Sequence, residues 1–197
     1  MKTIYLILNS LRFLPHILTY YLILNGRGGK TLIHSDIMRW KSILRSSSGD
    51  VGILDFIDIL SFYPEFRNLF YARVRVKSKA WVKILSLFAS PQPLLNISAV
   101  NLGGGCYIQH GFSTIIAARS VGENLWVNQC VTIGYSNATD CPTIGNNVTV
   151  GAGAKIIGNV HIGDNAIIGA NAVVVKDIPK NAVVGGVPAR ILRYRNE

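Results

Sequence analysis

The chain has 197 residues, 49% of them hydrophobic, which suffices for one domain, or one with an appendage, and excludes disorder as the default. Glycine is plentiful at 19 residues, but with 7 prolines and no Gly-X-Y period the chain is neither collagenous nor of low complexity. The net charge is +10, and three cysteines (Cys106, Cys130, Cys141) without CxxC spacing argue against a disulfide framework or a metal site and fit a reducing cytoplasm.

The chain opens on an apolar stretch from Ile4 to Leu24, which raises the question of a membrane span. Asn9, Ser10, Arg12, Pro15 and His16 interrupt it, and several of these are costly in hydrocarbon. It also lacks the small-residue cleavage site of a signal peptide. Residues 1–30, ending in the turn-like Asn25-Gly26-Arg27-Gly28-Gly29, are expected to form an interfacial or docking helix pair. That pair either touches a membrane surface peripherally or packs on the rest of the protein. Residues 1–90 carry 13 Lys/Arg against 5 Asp/Glu, whereas residues 91–197 carry 7 against 5. A basic first half suits an anionic surface, such as the inner leaflet or an acidic glycan; the alternative is a solvated charged face. No nucleic-acid-binding motif is present, so that partner is not expected. The expected location is the cytoplasm, at the inner face of the membrane if residues 1–30 touch lipid.

Residues 31–90 read as helices, and 1–93 is expected to be an α-helical N-terminal region. Ser35 is placed to cap a helix beginning near Asp36, and Asp50 one running through Ile53, Phe56, Ile57 and Leu60. Pro64 restarts the chain, and Trp81, Ile84, Leu85 and Phe88 form a helical stripe, read as core, before Pro91 and Pro93.

From residue 94 the period changes. Ile115, Val121, Val127 and Ile133 recur at six, and after a gap of eleven so do Ile144, Val150, Ile156, Ile162, Ile168 and Val174. Many are followed at once by Gly, and a small residue recurs four positions later at Ala154, Ala166 and Ala172. Six fits neither a helix nor an alternating strand. It fits a coil of three short flat strands, each with one aliphatic residue pointing inward, whose stacked turns bury a continuous column. Asn146, Asn147, Asn159, Asn165 and Asn171 suit corners that need positive φ. The fold class is therefore mainly β, a left-handed parallel β-helix of hexapeptide repeats over 94–197. The five extra residues before Ile144 leave the coil as a protruding loop, 135–142, where function is expected.

The runs Gly103-Gly-Gly-Cys-Tyr-Ile-Gln-His110-Gly, Val131-Thr-Ile-Gly134, Gly151-Ala-Gly-Ala-Lys155-Ile-Ile-Gly-Asn159 and Gly185-Gly-Val-Pro188-Ala-Arg190 resemble the serine acetyltransferase group of hexapeptide-repeat acyltransferases. The resemblance implies a homotrimer that takes acetyl-CoA into the cleft between neighbouring β-helices, with no metal, and His110 as general base. An alcohol attacks a thioester poorly at neutral pH, and a positioned imidazole that takes its proton is worth roughly 10²–10⁴ in rate. By the same matching Ala152, Gly153 and Ala170 lie beside the pantetheine arm. Lys155, Lys176 and Arg190 face the CoA phosphates, and Gly134 and Tyr135 open the loop near the thioester. Each Gly or Ala also reads as a plain corner residue, and Lys176 as a solvated surface lysine.

Two departures bear on the acceptor. The group shows Asp-His where this chain has Gln109-His110, and Arg-His-Pro where it has Asp140-Cys141-Pro142. Gln109, Asp140 and Cys141 are therefore the candidate acceptor-binding residues, although Asp140 also reads as a cap of the loop turn. Without the charged partners that grip an amino acid, the departures resemble capsule and exopolysaccharide O-acetyltransferases, and a hydroxyl on such a glycan is the expected acceptor. Serine O-acetylation is the alternative within enzymes, and a non-catalytic β-helix scaffold the alternative outside them. Cys130 reads as a small core residue, and His161 as a surface residue.

Overall fold

The structure is a computed structural model that describes residues 11–22, 29–46 and 49–195. Two compact units emerge, Met1–Gln92 and Pro93–Glu197.

The first unit is helical: α1 (Leu14–Leu22), α2 (Gly29–Arg45), α3 (Ile53–Phe62), α4 (Pro64–Arg75) and α5 (Lys79–Phe88). Local chemistry sets the boundaries. Asp55 folds back to accept the Gly52 N–H at 3.0 Å, Pro64 occupies the first turn of α4, and Ser78 Oγ accepts the Trp81 N–H at 3.2 Å to start α5. Phe13, Ile33, Ile37, Trp40, Phe56, Phe66 and Phe70 fill the core. Ser35 and Asp36 lie inside α2 rather than at its start, because Asp36 is fully buried and pairs with Arg73 through two contacts of 3.0 and 3.1 Å. The α5 stripe is only partly core: Leu85 is fully buried, but Ile84 and Phe88 remain more than 40% exposed.

Of the N-terminal apolar stretch, residues 1–10 and 23–28 lie outside the described residues. The described part packs within its own unit. Tyr20 stacks on Phe56 with ring centroids 5.2 Å apart, Trp81 Nε1 donates to Thr19 Oγ1 at 2.8 Å, and His16 Nε2 meets the Tyr71 hydroxyl at 2.8 Å. Burial, with the Arg67 and Arg12 guanidiniums, lowers the His16 pKa to about 4 and keeps the ring neutral. Leu11, Leu18 and Leu22 face outward. Among the described residues no helix is long and apolar enough to cross a membrane.

The second unit is the parallel β-helix that the hexads require. Its first coil holds β1 (Leu95–Ile97), β2 (Asn101–Leu102) and β3 (Tyr107–Ile108). The second holds β4 (Thr114–Ile116), β5 (Ser120–Val121) and β6 (Trp126–Val127), and the third β7 (Thr132–Gly134), β8 (Thr143–Ile144) and β9 (Thr149–Val150). The fourth holds β10 (Lys155–Ile157), β11 (His161–Ile162) and β12 (Ile167–Ile168), followed by β13 (Val173–Val174), β14 (Ala182–Gly185) and β15 (Arg190–Tyr194). The first strands of successive coils stack as β1-β4-β7-β10-β13, the second as β2-β5-β8-β11, and the third as β3-β6-β9-β12-β14, with β15 returning antiparallel on β14. The inward columns follow: Ile116, Ile133, Ile156 and Val174 on one face, Val121, Ile144 and Ile162 on the second, and Ile108, Val127, Val150, Ile168 and Val184 on the third.

One register expectation is corrected. Ile115 points outward at 44% exposure, and Ile116 is the fully buried residue, paired with Ile133. The preceding corner is longer than the period allows: His110, Gly111 and Ser113 all take positive φ, and Thr114 turns in instead. The asparagine corners also differ in part. Asn124, Asn147, Asn165 and Asn181, all at φ of 54–60°, form a ladder of side-chain hydrogen bonds of 2.9–3.2 Å along one corner. Asn146 and Asn159 are not among the positive-φ residues; Asn146 instead uses Oδ1 to accept the Glu123 N–H at 2.8 Å.

Candidate active site

The corner between the third and first faces collects half of the expected residues. His110 stands at its head, just after β3, at φ 65° and exposed to solvent. Below it the chain turns at Cys130 (φ 59°), Gly153 (φ 74°) and Asn171 (φ 57°). Backbone bonds stack these turns: Cys130 N to Phe112 O at 2.9 Å, Gly153 N to Gln129 O at 3.0 Å, and Asn171 N to Ala152 O at 2.8 Å. Ala152, Gly153 and Ala170 therefore lie in one line under His110 and leave the coil edge nearly bare. Gly153 is required there, since a Cβ would come within 2.0 Å of Asn171 Oδ1 at a φ that side chains rarely adopt. A bare edge is what a long flexible thioester cofactor needs to lie close to the backbone.

Lys155 adjoins this corner, but its ammonium is engaged: Nζ donates to Cys130 O at 2.6 Å and to Thr132 Oγ1 at 3.2 Å. It acts as a clip between coils. Cys130 is thus a half-buried corner residue, not a core one, and its carbonyl is what the clip holds. Lys176 and Arg190 are exposed near the C-terminal end, with cations free of any described salt bridge.

Gly134, Tyr135, Asp140, Cys141 and Lys176 lie away from this line, at the far end of the first face. That face is three residues wide, so the two groups are about 10 Å apart. The loop 135–142 closes on itself. Asp140 accepts the N–H of Ser136 at 2.7 Å and of Asn137 at 3.1 Å, the Asn137 amide at 3.1 Å and the Ser136 hydroxyl. The Ser136 hydroxyl and those N–H groups hold its carboxyl below the ordinary carboxylate range. Asp140 is thereby spent on the loop rather than turned toward an acceptor. Cys141 is buried with its thiol toward Ala117 O at 3.7 Å, and its hydrogen bond with the Tyr135 hydroxyl pushes that hydroxyl above the ordinary tyrosine value. His161 is exposed, as its outward position requires. Among the described residues no group of His, Cys, Asp and Glu is arranged to hold a metal ion.

Residues next to Gln109 went unnoticed in the sequence. Trp126 Nε1 donates to both Gln109 Oε1 at 3.2 Å and Asn128 Oδ1 at 3.0 Å, and its ring meets Tyr107 edge-on at 4.9 Å. Trp126 precedes the inward Val127, so it faces outward beside Gln109; a tryptophan at an outward hexad position was the available signal. Gln129, one coil below His110, has a buried Oε1 with no partner.

Comparison with known proteins places these features. Residues 141–176 match the family of bacterial transferase hexapeptide proteins (six repeats). The serine acetyltransferase of Synechococcus elongatus is 35% identical over 154 residues, 71% of this chain and 61% of that protein. The serine acetyltransferase of Mycobacterium tuberculosis is 40% identical over 95 residues, 46% of this chain and 42% of that protein. The chain thus spans about two fifths to three fifths of these curated relatives. The crystal structure of serine acetyltransferase from Brucella abortus strain S19 aligns with a TM-score of 0.68 at 25% identity, covering 85% of this chain and 69% of that one. That of Neisseria gonorrhoeae serine acetyltransferase in complex with serine aligns with a TM-score of 0.61 at 26% identity, covering 82% and 68%. These likenesses correct the expectation of a capsular or exopolysaccharide acceptor. That expectation rested on two short departures, one of which, Asp140, is taken up by loop closure, while the likeness to proteins named for serine runs through most of the chain.

Proposed function

We propose that the chain is an acetyl-CoA-dependent serine O-acetyltransferase that works as a homotrimer. The likeness to serine acetyltransferases over 154 residues carries the reading. The exposed His110 at the head of a bare coil edge supports it and supplies the chemistry.

In this reading the pantetheine arm of acetyl-CoA runs along Ala152, Gly153 and Ala170. Arg190, paired with Gly185 on the third-face stack, is the cation left for its phosphates, Lys176 lying at the far end of the first face. The His110 imidazole takes the proton of the serine hydroxyl as its oxygen bonds to the thioester carbonyl carbon. The tetrahedral intermediate collapses with cleavage of the carbon–sulfur bond, and the imidazolium returns the proton to the departing CoA thiolate. O-acetylserine and CoA leave, and the ring is again neutral. Proton transfer through a positioned base is worth roughly 10²–10⁴ in rate.

Thiol release from acetyl-CoA, with and without L-serine, tests the reading. Serine-dependent turnover that falls by about 10²–10⁴ in His110→Ala, with unchanged thermal unfolding, is expected. Absence of serine-dependent thiol release by the wild type overturns it.

A further inference from the structure

The side chain beside His110 is oriented by a group that can only donate. An indole N–H has no acceptor capacity, so the Gln109 atom 3.2 Å from Trp126 Nε1 is the amide oxygen, and the NH₂ group points the other way. Gln109 follows the inward Ile108 and faces outward, half-exposed, next to the exposed His110. Its two N–H groups have no acceptor among the described residues. The Trp126 pin is itself fixed, by its second bond to Asn128 and by the Tyr107 ring.

Charge around this point is one-sided. Residues 91–122, which include the whole coil carrying His110, contain no Asp or Glu. The described carboxylates of the β-helix are four: Glu123 is exposed on the corner before β6, at the opposite end of the third face from Gln109, and Asp140 closes the loop at the far end of the first face. Asp164 accepts Asn146 N at 2.6 Å, and Asp177 accepts His161 N at 2.8 Å, both on other corners. An ammonium group placed beside His110 meets no anion from its own coil, whereas an oxygen anion meets two fixed N–H donors.

We infer that Gln109, held by Trp126, is a specificity-determining residue that binds the acceptor's carboxylate through its amide N–H groups, so that the site takes β-hydroxy acids with or without an α-amine. The inference rests on the proposed acetyl transfer and adds to it the part of the acceptor that is read. A neutral amide donor rewards an acceptor oxygen and gives nothing to an amine. A site whose polar group is left unpaired by an analogue discriminates strongly against that analogue.

The test compares L-serine, L-glycerate (hydroxyl in place of the amine) and ethanolamine (no carboxylate) as acceptors for the wild type, Gln109→Glu and Trp126→Phe. For the wild type, kcat/KM with glycerate is expected within about tenfold of serine, and with ethanolamine about a hundredfold or more below it. Gln109→Glu keeps the oxygen that Trp126 binds but replaces the donors with a second anion; KM for both acids should rise about tenfold or more with kcat little changed. Trp126→Phe keeps an aromatic ring but removes the indole N–H and frees the amide, and a smaller rise of about threefold in the same KM is expected. A strict requirement for the amine, or KM values that Gln109→Glu does not move, overturns the inference while serine turnover still upholds the proposed function. A wild type that acetylates none of the three overturns both.

Discussion

The ammonium of Lys155 sits 2.6 Å from the carbonyl oxygen of Cys130, one coil away, and ties the two turns that line the edge below His110. Cys130 is in the left-handed region at φ 59°, so its peptide is turned out of the regular ladder and the lysine supplies the donor it lacks. Lys155→Met is expected to cost about 1–3 kcal/mol, because a half-buried carbonyl loses a charged donor. The binding of CoA, measured by calorimetry, should weaken only a few-fold. An unchanged unfolding midpoint together with a large loss of CoA affinity instead assigns the residue to the phosphates.

The corner ladder makes a second, sharper comparison. Asn165 is its central rung, accepting from Asn147 at 3.2 Å and donating to Asn181 at 2.9 Å, at φ 59°. Asn165→Ala loses both bonds and the residue's tolerance of that conformation, and about 2–4 kcal/mol is expected. Asn165→Gly loses the bonds alone and should cost about half as much. Equal losses in denaturant melts would show that backbone conformation contributes nothing at this corner.

These two sites also mark how far the sequence could be read. The inward columns were legible, because a period of six in Val and Ile has one structural explanation, and the bare edge was legible as Gly-Ala-Gly. What a period cannot carry is an interruption: the long corner at His110–Ser113 moved the inward role from Ile115 to Ile116. Nor does it carry side-chain partnerships. Asp36 has the composition of a helix start, yet its carboxylate is committed to Arg73, 37 residues away, and Trp126 meets Gln109 only once two coils are stacked.

That Asp36–Arg73 pair predicts an asymmetry. Asp36→Ala leaves the Arg73 guanidinium in a buried site without its carboxylate, and a loss of about 3–5 kcal/mol is expected. The double change Asp36→Leu with Arg73→Met removes both charges and should recover a substantial part of that loss. Urea denaturation of the two variants decides it: a double variant no more stable than the single one refutes the account.

Acid should act first through His16. The ring is fully buried, and burial, with Arg67 and Arg12 nearby, takes its pKa from an ordinary value near 6.5 to about 4. The folded pKa lies below the unfolded one, so between these values the unfolded chain binds more protons and stability falls as pH falls. Above pH 6.5 the ring is neutral in both states and imposes no penalty. Below about 4 it is charged in both, and the loss has reached its full extent, on the order of 3 kcal/mol. His16→Gln cannot take up a proton but retains a donor for the Tyr71 hydroxyl, so it should flatten this part of the pH profile while lowering stability at neutral pH only modestly. Chemical denaturation at pH 7.5 and 4.5 separates the cases: a wild type and His16→Gln with the same pH slope would place the acid sensitivity elsewhere in the chain.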